Sequence, residues 1–210
     1  MLSGLVEFPA PFPERVFLNV PFDSQYRPLF IALIASLTAL GSEPHCVLEV
    51  PSAGRNRLDR IYELIESCGS SIHDLSRVSL SGTFRVPRFN MPFELGLAYS
   101  IARQQRHSFF VLEQASHRLQ ASLSDLNGHD PHIHQGTQYG VYRCVLDCFG
   151  TSDRKPSFTT LRSLGRRLGL AVANLEREQA LRDPFHPYVF RQAVRVAAEF
   201  AQADGLLRFS

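Results

Sequence analysis

An α/β fold, a parallel sheet covered by helices on both faces, is what the 210-residue sequence predicts, and two observations predict it. Short apolar runs alternate with segments of helical periodicity, and those runs are apolar on both faces, as strands are when helices cover the sheet on either side. In such folds ligands bind beyond the carboxyl ends of the strands, where the connections diverge. That rule singles out residues 19–23, 74–77 and 90–94, three segments in which polar residues are embedded among apolar ones.

The elements follow in order. Residues 15–20 form a first strand that Pro21 stops. A loop leads to a helix opened by Arg27 or Pro28, carried by Phe30, Ile31, Ile34, Leu37 and Leu40, and ended by Gly41. The second strand is read at 45–50, a helix at 57–68 through Leu58, Ile61, Tyr62, Leu64 and Ile65, and a short third strand at 70–75. A helix from Asn90 to about Gln104 precedes the fourth strand at 107–113. Residues 122–134 are too rich in turn formers for a regular element. Residues 139–149 suit a helix or a strand, 150–157 read as a linker, and 158–177 and 184–207 read as two helices packing on each other or on the sheet. The expected organisation is an extended lead-in at 1–14, an α/β domain at 15–149 and a C-terminal helical extension at 150–210.

Composition excludes more than it assigns. The 44 % hydrophobic and 20 % charged content is ordinary for a globular protein, and a formal charge of +2 gives no reason to expect nucleic acid or an anionic membrane as main partner. All but Lys155 of the 22 basic residues are Arg, which removes the usual Schiff-base amine from the body of the chain. Cys46, Cys68, Cys144 and Cys148 have no C-x-x-C spacing. The first 14 residues lack the pattern of a signal peptide, and no apolar run approaches the ~18 residues of a membrane span. The expectation is a soluble, cytoplasmic protein.

The chemistry centres on Glu94, one carboxylate in the apolar run Met91-Pro-Phe-Glu-Leu-Gly-Leu-Ala98. Asn90 suits an N-cap and Pro92 a first turn. Unpaired N–H groups at the helix start favour the anion, whereas Met91, Phe93, Leu95 and Leu97 would desolvate it and raise its pKa. The two effects oppose each other, and a surface glutamate supporting the helix start is the plain alternative. Asp74 at a strand end serves equally well to cap its own turn. Arg77, Arg85 and Arg88 are loop charges, or approach a phosphate. His129, His132 and His134 lack the helical H-E-x-x-H spacing, so they are read as a loop rather than a metal site. There is no Walker loop, no G-x-G-x-x-G and no G-x-S-x-G elbow.

Asn19-Val-Pro-Phe-Asp23, Ile72-His-Asp-Leu-Ser76 and Asn90-Met-Pro-Phe-Glu-Leu-Gly-Leu-Ala98, in that order, resemble the TIR-like and nucleoside 2-deoxyribosyltransferase-like group of flavodoxin-type folds. The resemblance covers about residues 15–134. It implies that Glu94 is the catalytic carboxylate of N-glycosidic bond cleavage, with Asp74 and Ser76 near the ribose or base and Phe22, Asp23 and Asn90 bordering the pocket. Asn19 belongs to the same strand-end segment. The Phe-Asn-Met-Pro lead-in differs from the Gly-Thr pair that transferases of the group often carry. The implied substrate is NAD or a related nucleotide, with no further cofactor and no metal. Nicotinamide leaves from a cationic ring, so one Glu suffices; a neutral purine needs a proton donor, for which Asp125, Asp130, His132 or His134 is available. The resemblance also implies a prokaryotic defence effector that self-associates and has room for a protein partner. A deoxyribosyltransferase or hydrolase, and a non-catalytic nucleotide-binding or assembly module, are the alternatives.

Overall fold

The computed structural model describes residues 14–50, 56–77, 89–104, 106–117, 123, 128–151, 155–181 and 185–207. Five strands, β1 (Glu14–Asn19), β2 (Ser42–Cys46), β3 (Ser70–Asp74), β4 (Ser108–Glu113) and β5 (His132–Ile133), form one sheet in the order β2-β1-β3-β4-β5. Every pairing is parallel. Around it run α1 (Arg27–Ala39), α2 (Arg57–Glu66), α3 (Asn90–Gln104), α4 (Gln138–Phe149), α5 (Phe158–Glu178) and α6 (Pro187–Ala203). This is the flavodoxin-like α/β arrangement, with its topological switch between β1 and β3.

The period-2 alternation of the strands divides the core in two. Val16, Leu18, Val20 and Ile72 face one side with α1, α4, α5 and α6. Phe17 faces the other side, where Ile61, Ile65, Ala98 and Ile101 of α2 and α3 cover it. Helix α1 is mostly apolar and every residue from Leu29 to Ala39 is buried, Ser36 and Thr38 included, so the sheet alone could not cover it. The outer cover is the C-terminal pair: Leu161, Leu164, Leu168 and Val172 of α5 and Val189, Phe190, Ala193 and Ala197 of α6 belong to the same core as α1. Gly165 permits the close approach, since a Cβ there would lie 2.3 Å from the Tyr142 hydroxyl.

Two elements depart from the sequence reading. The second strand lies at Ser42–Cys46 instead of 45–50, and Val47–Glu49 is a 3-10 turn. Pro44 argues against a strand from sequence, but β2 is an edge strand, where a missing N–H is tolerated. Residues 122–134, read as irregular, contribute β5, two residues paired to Leu112 and Glu113 at the opposite edge. The open choice at 139–149 resolves to helix, capped by the Thr137 side chain, which accepts from the Gly140 N–H. Gly41, at φ 81°, ends α1 in the left-handed conformation that glycine adopts freely.

Candidate active site

Beyond the carboxyl ends of β1 and β2, on the α2/α3 side of the sheet, lies a cleft of about 650 Å³, with Val47 just after β2 in its lining. The β1 end supplies Asn19, Val20, Pro21 and Phe22 as one wall. Helix α2 supplies Asn56, Arg57, Leu58 and Ile61, and the start of α3 supplies Phe89, Asn90, Met91, Phe93 and Glu94.

Glu94 is 7 % exposed, and among the described residues no hydrogen bond or ion pair engages its carboxylate. Burial pushes its pKa up to about 7, against the opposing pull of the Arg57 charge. The competition left open by the sequence is therefore won by desolvation, and the helix register gives the reason. The Phe93 N–H bonds to the Phe89 carbonyl at 3.1 Å, which makes Phe89, not Asn90, the capping residue. Glu94 is the fifth residue of α3, beyond the first turn, where the N–H groups are already taken and stabilise an anion little. Phe89 and Phe93, 67 % and 52 % exposed, stand one helical turn apart at the cleft rim with Leu58.

Asn19 is 3 % exposed and is the innermost polar group of the β1 wall. Its Nδ2 donates to the Met91 carbonyl at 2.8 Å and lies 3.0 Å from His73 Nδ1. His73 is its register partner across the β1–β3 ladder. Behind it, His73 Nε2 is 2.9 Å from Ser71 Oγ, Ser71 Oγ is 2.8 Å from His107 Nε2, and His107 Nδ1 is 2.9 Å from the Cys68 carbonyl. Burial lowers the pKa of both rings, that of His73 to about 3, so both are neutral near pH 7.

Asp74 is buried on the other face of the sheet, in phase with Ile72 and out of phase with His73. It does not line the cleft. Its Oδ1 accepts from the Ser76 N–H at 2.9 Å and from the Ser76 hydroxyl, and its Oδ2 accepts from the Tyr26 hydroxyl and lies 3.1 Å from His134 Nε2. Burial alone would raise the Asp74 carboxyl; the His134, Ser76 and Tyr26 hydrogen bonds outweigh it and hold it below its ordinary value. His134 is fixed in turn by the Gly136 N–H, which donates to Nδ1 at 3.0 Å. Gly140 lets α4 close over it, because a Cβ there would meet the His134 carbonyl oxygen at 1.9 Å.

The structure thus gathers Glu94, Asn19, Phe22 and Asn90 at one cleft and places Asp74 and Ser76 in a separate buried knot. Asp23 accepts from the Gln25 and Tyr26 N–H groups at 3.1 and 3.0 Å through Oδ1 and closes the turn into α1. Arg77 lies 3.7 Å from that carboxylate and donates to Gln25 Oε1 at 2.8 Å. His132, half-buried in β5, rests against the Phe110 ring, and His129 sits between the Tyr99 and Phe109 rings. Asp125, Arg85 and Arg88 lie outside the described residues. Among the described residues no group of three or more His, Cys, Asp and Glu side chains could hold a metal ion.

Sequence reasoning missed the α2 wall and the polar chain behind Asn19. Residues 56–58 follow the second strand just as 19–23 follow the first, so the strand-end rule extends to them. The alternation of Ser71 and His73 in β3 marks a polar stripe on one face. Phe22 also joins the site to α1 and to the turn that leads into α6, through the rings of Phe30 and Phe185 at 5.9 and 5.4 Å. Neither a protein-family model nor a curated protein matches the chain.

Proposed function

We propose that the protein cleaves the N-glycosidic bond of a nucleotide, NAD or a close relative, with Glu94 as the catalytic carboxylate. The observation that carries this reading is a carboxylate more than nine-tenths buried, without a protein partner among the described residues, at the wall of a cleft large enough for a nucleotide moiety. A charged oxygen left unpaired in apolar surroundings is unfavourable unless a ligand uses it. The likeness of the Asp-Leu-Ser and Glu-Leu-Gly-Leu-Ala segments to the TIR-like and deoxyribosyltransferase-like group supports the same assignment.

In this mechanism the ionised Glu94 faces the anomeric carbon. The C1′–N bond breaks, its electron pair leaves with the pyridinium nitrogen and neutralises that ring, and the positive charge developing on the sugar is stabilised by the carboxylate or captured by it. Water then adds to C1′ and releases a proton. Phe89 and Phe93 offer flat apolar faces on which a departing or retained ring stacks. We place the reaction in the cytoplasm, where the free Cys46, Cys68, Cys144 and Cys148 stay reduced.

One observation favours a second reading. A carboxyl with a pKa near 7 is half protonated at neutral pH and can donate to a neutral purine, as hydrolysis or transfer of a nucleoside base requires. Incubation of the wild-type protein and Glu94→Gln with NAD and, separately, with deoxynucleosides tests both. Release of nicotinamide by wild type alone is expected. Base release from deoxynucleosides alone would replace the first reading with the second, and equal turnover by both proteins would remove Glu94 from its role.

A further inference from the structure

The polarity of the hydrogen-bond chain behind Asn19 is fixed from both ends. A backbone carbonyl can only accept, so Cys68 requires a proton on His107 Nδ1, and the neutral ring then presents Nε2 as an acceptor. Ser71 must therefore donate to His107 and accept from His73 Nε2–H, which leaves His73 Nδ1 as an acceptor. At the other end the Met91 carbonyl takes one proton of the Asn19 amide, and His73 Nδ1 takes the second. Both N–H bonds of the amide are consumed. Asn19 Oδ1 has no partner among the described residues, and it is not a fully enclosed atom. The side chain lines the cleft, so its one unused polar atom is an acceptor presented there.

We propose that Asn19 Oδ1 accepts a hydrogen bond from the sugar 2′-hydroxyl, which makes the site selective for ribosides over 2′-deoxyribosides. This rests on the reading of Glu94 as the group facing the anomeric carbon. The Asn19 amide, at the end of β1, is bonded to the carbonyl of Met91, which stands on α3 less than one turn, about 5.4 Å in pitch, before Glu94, and both Asn19 and Glu94 line the cleft. The 2′-hydroxyl sits on the carbon bonded to C1′ and is the substrate donor nearest the carboxylate's point of attack. A deoxy sugar leaves Oδ1 dry and unpaired, and a site built around a buried polar atom rejects the ligand lacking its partner. His73, Ser71 and His107 are positioning residues. They prevent the amide from turning over and offering an N–H instead.

The test has two arms. In the first, ¹⁵N NMR of the histidine side chains reads the tautomers: Nε2–H at His73 and Nδ1–H at His107 are expected, and Nδ1–H at His73 overturns the proposal. In the second, calorimetry measures binding of nicotinamide riboside and of its 2′-deoxy analogue to Glu94→Gln, in which chemistry is blocked, with and without Asn19→Ala. A preference for the riboside of at least about tenfold, falling to near unity in the Asn19→Ala background, is expected. Equal affinity for the two sugars, or a preference that survives Asn19→Ala, overturns the Asn19 assignment alone. Binding of neither sugar overturns it together with the reading of Glu94. Circular dichroism of the Asn19→Ala protein, and an Asn19→Gln variant that keeps the amide, separate loss of the acceptor from loss of the fold.

Discussion

Two carboxylates stand at the carboxyl edge of the same sheet, and the protein treats them in opposite ways. Asp74 faces α1 and α4 with four groups bonded or paired to it, from Tyr26, Ser76 and His134. Glu94 faces the cleft with none among the described residues. Their pKa values move apart accordingly, Asp74 downward and Glu94 up to about 7. Burial is common to both, so what separates a structural acid from a reactive one is whether the fold supplies its hydrogen-bond donors. Asp74 is supplied; among the described residues Glu94 is not, and the reactive role proposed for it rests on that difference.

Each acid can be removed to test that contrast. Glu94→Gln keeps shape and removes charge, and the expected loss in turnover is on the order of 100- to 1,000-fold, read as nicotinamide release. Asp74→Asn should leave KM almost unchanged and instead lower stability by about 3 kcal/mol in urea unfolding, because it breaks a buried pair and strands its donors. The Asp74 contribution is present above the ordinary carboxylate pKa of 3.8 and is lost as pH falls through its depressed folded value.

The sign reverses for Glu94. Between its ordinary pKa of 4.5 and the folded value near 7, the unfolded chain releases a proton that the folded chain retains, so stability falls as pH rises across that window. Glu94→Gln is accordingly expected to be more stable than wild type by roughly 2 to 3 kcal/mol at pH 8 and indistinguishable at pH 4, as measured by unfolding at both pH values. Phe93→Ala gives the smallest effect. With half its surface already exposed it should leave the melting temperature in place and weaken nucleotide binding about tenfold through lost stacking.

The sequence made some of this legible and hid the rest for identifiable reasons. Helix α3 is readable to its ends, since Pro92 marks a first turn and the apolar spacing persists to Gln104. The sheet follows from strand–helix alternation. Pro44 concealed β2, because whether a strand lies at an edge is a property of the sheet and not of the strand. β5 has two residues, too few for any periodicity. The parity of β3 tells that Asp74 and His73 point to opposite faces, but which face α3 covers depends on the handedness of the crossover, so Asp74 and Glu94 are easily assigned to one pocket. Helix α1 carried an overlooked signal. Its apolar residues fall on every side of the helix and require a second cover, and α5 and α6 are that cover. No helix among the described residues is long and apolar enough to cross a membrane.

The most direct measurement follows the Glu94 carboxyl itself by ¹³C NMR across pH 4 to 9, beside the pH dependence of NAD cleavage by the same protein. If the ionised carboxylate drives departure of a cationic ring, Glu94 titrates near 7 and the rate rises through that same pH. A carboxyl titrating near 4.5, or cleavage that is indifferent to its ionisation, would contradict the assignment of Glu94 as the reactive acid.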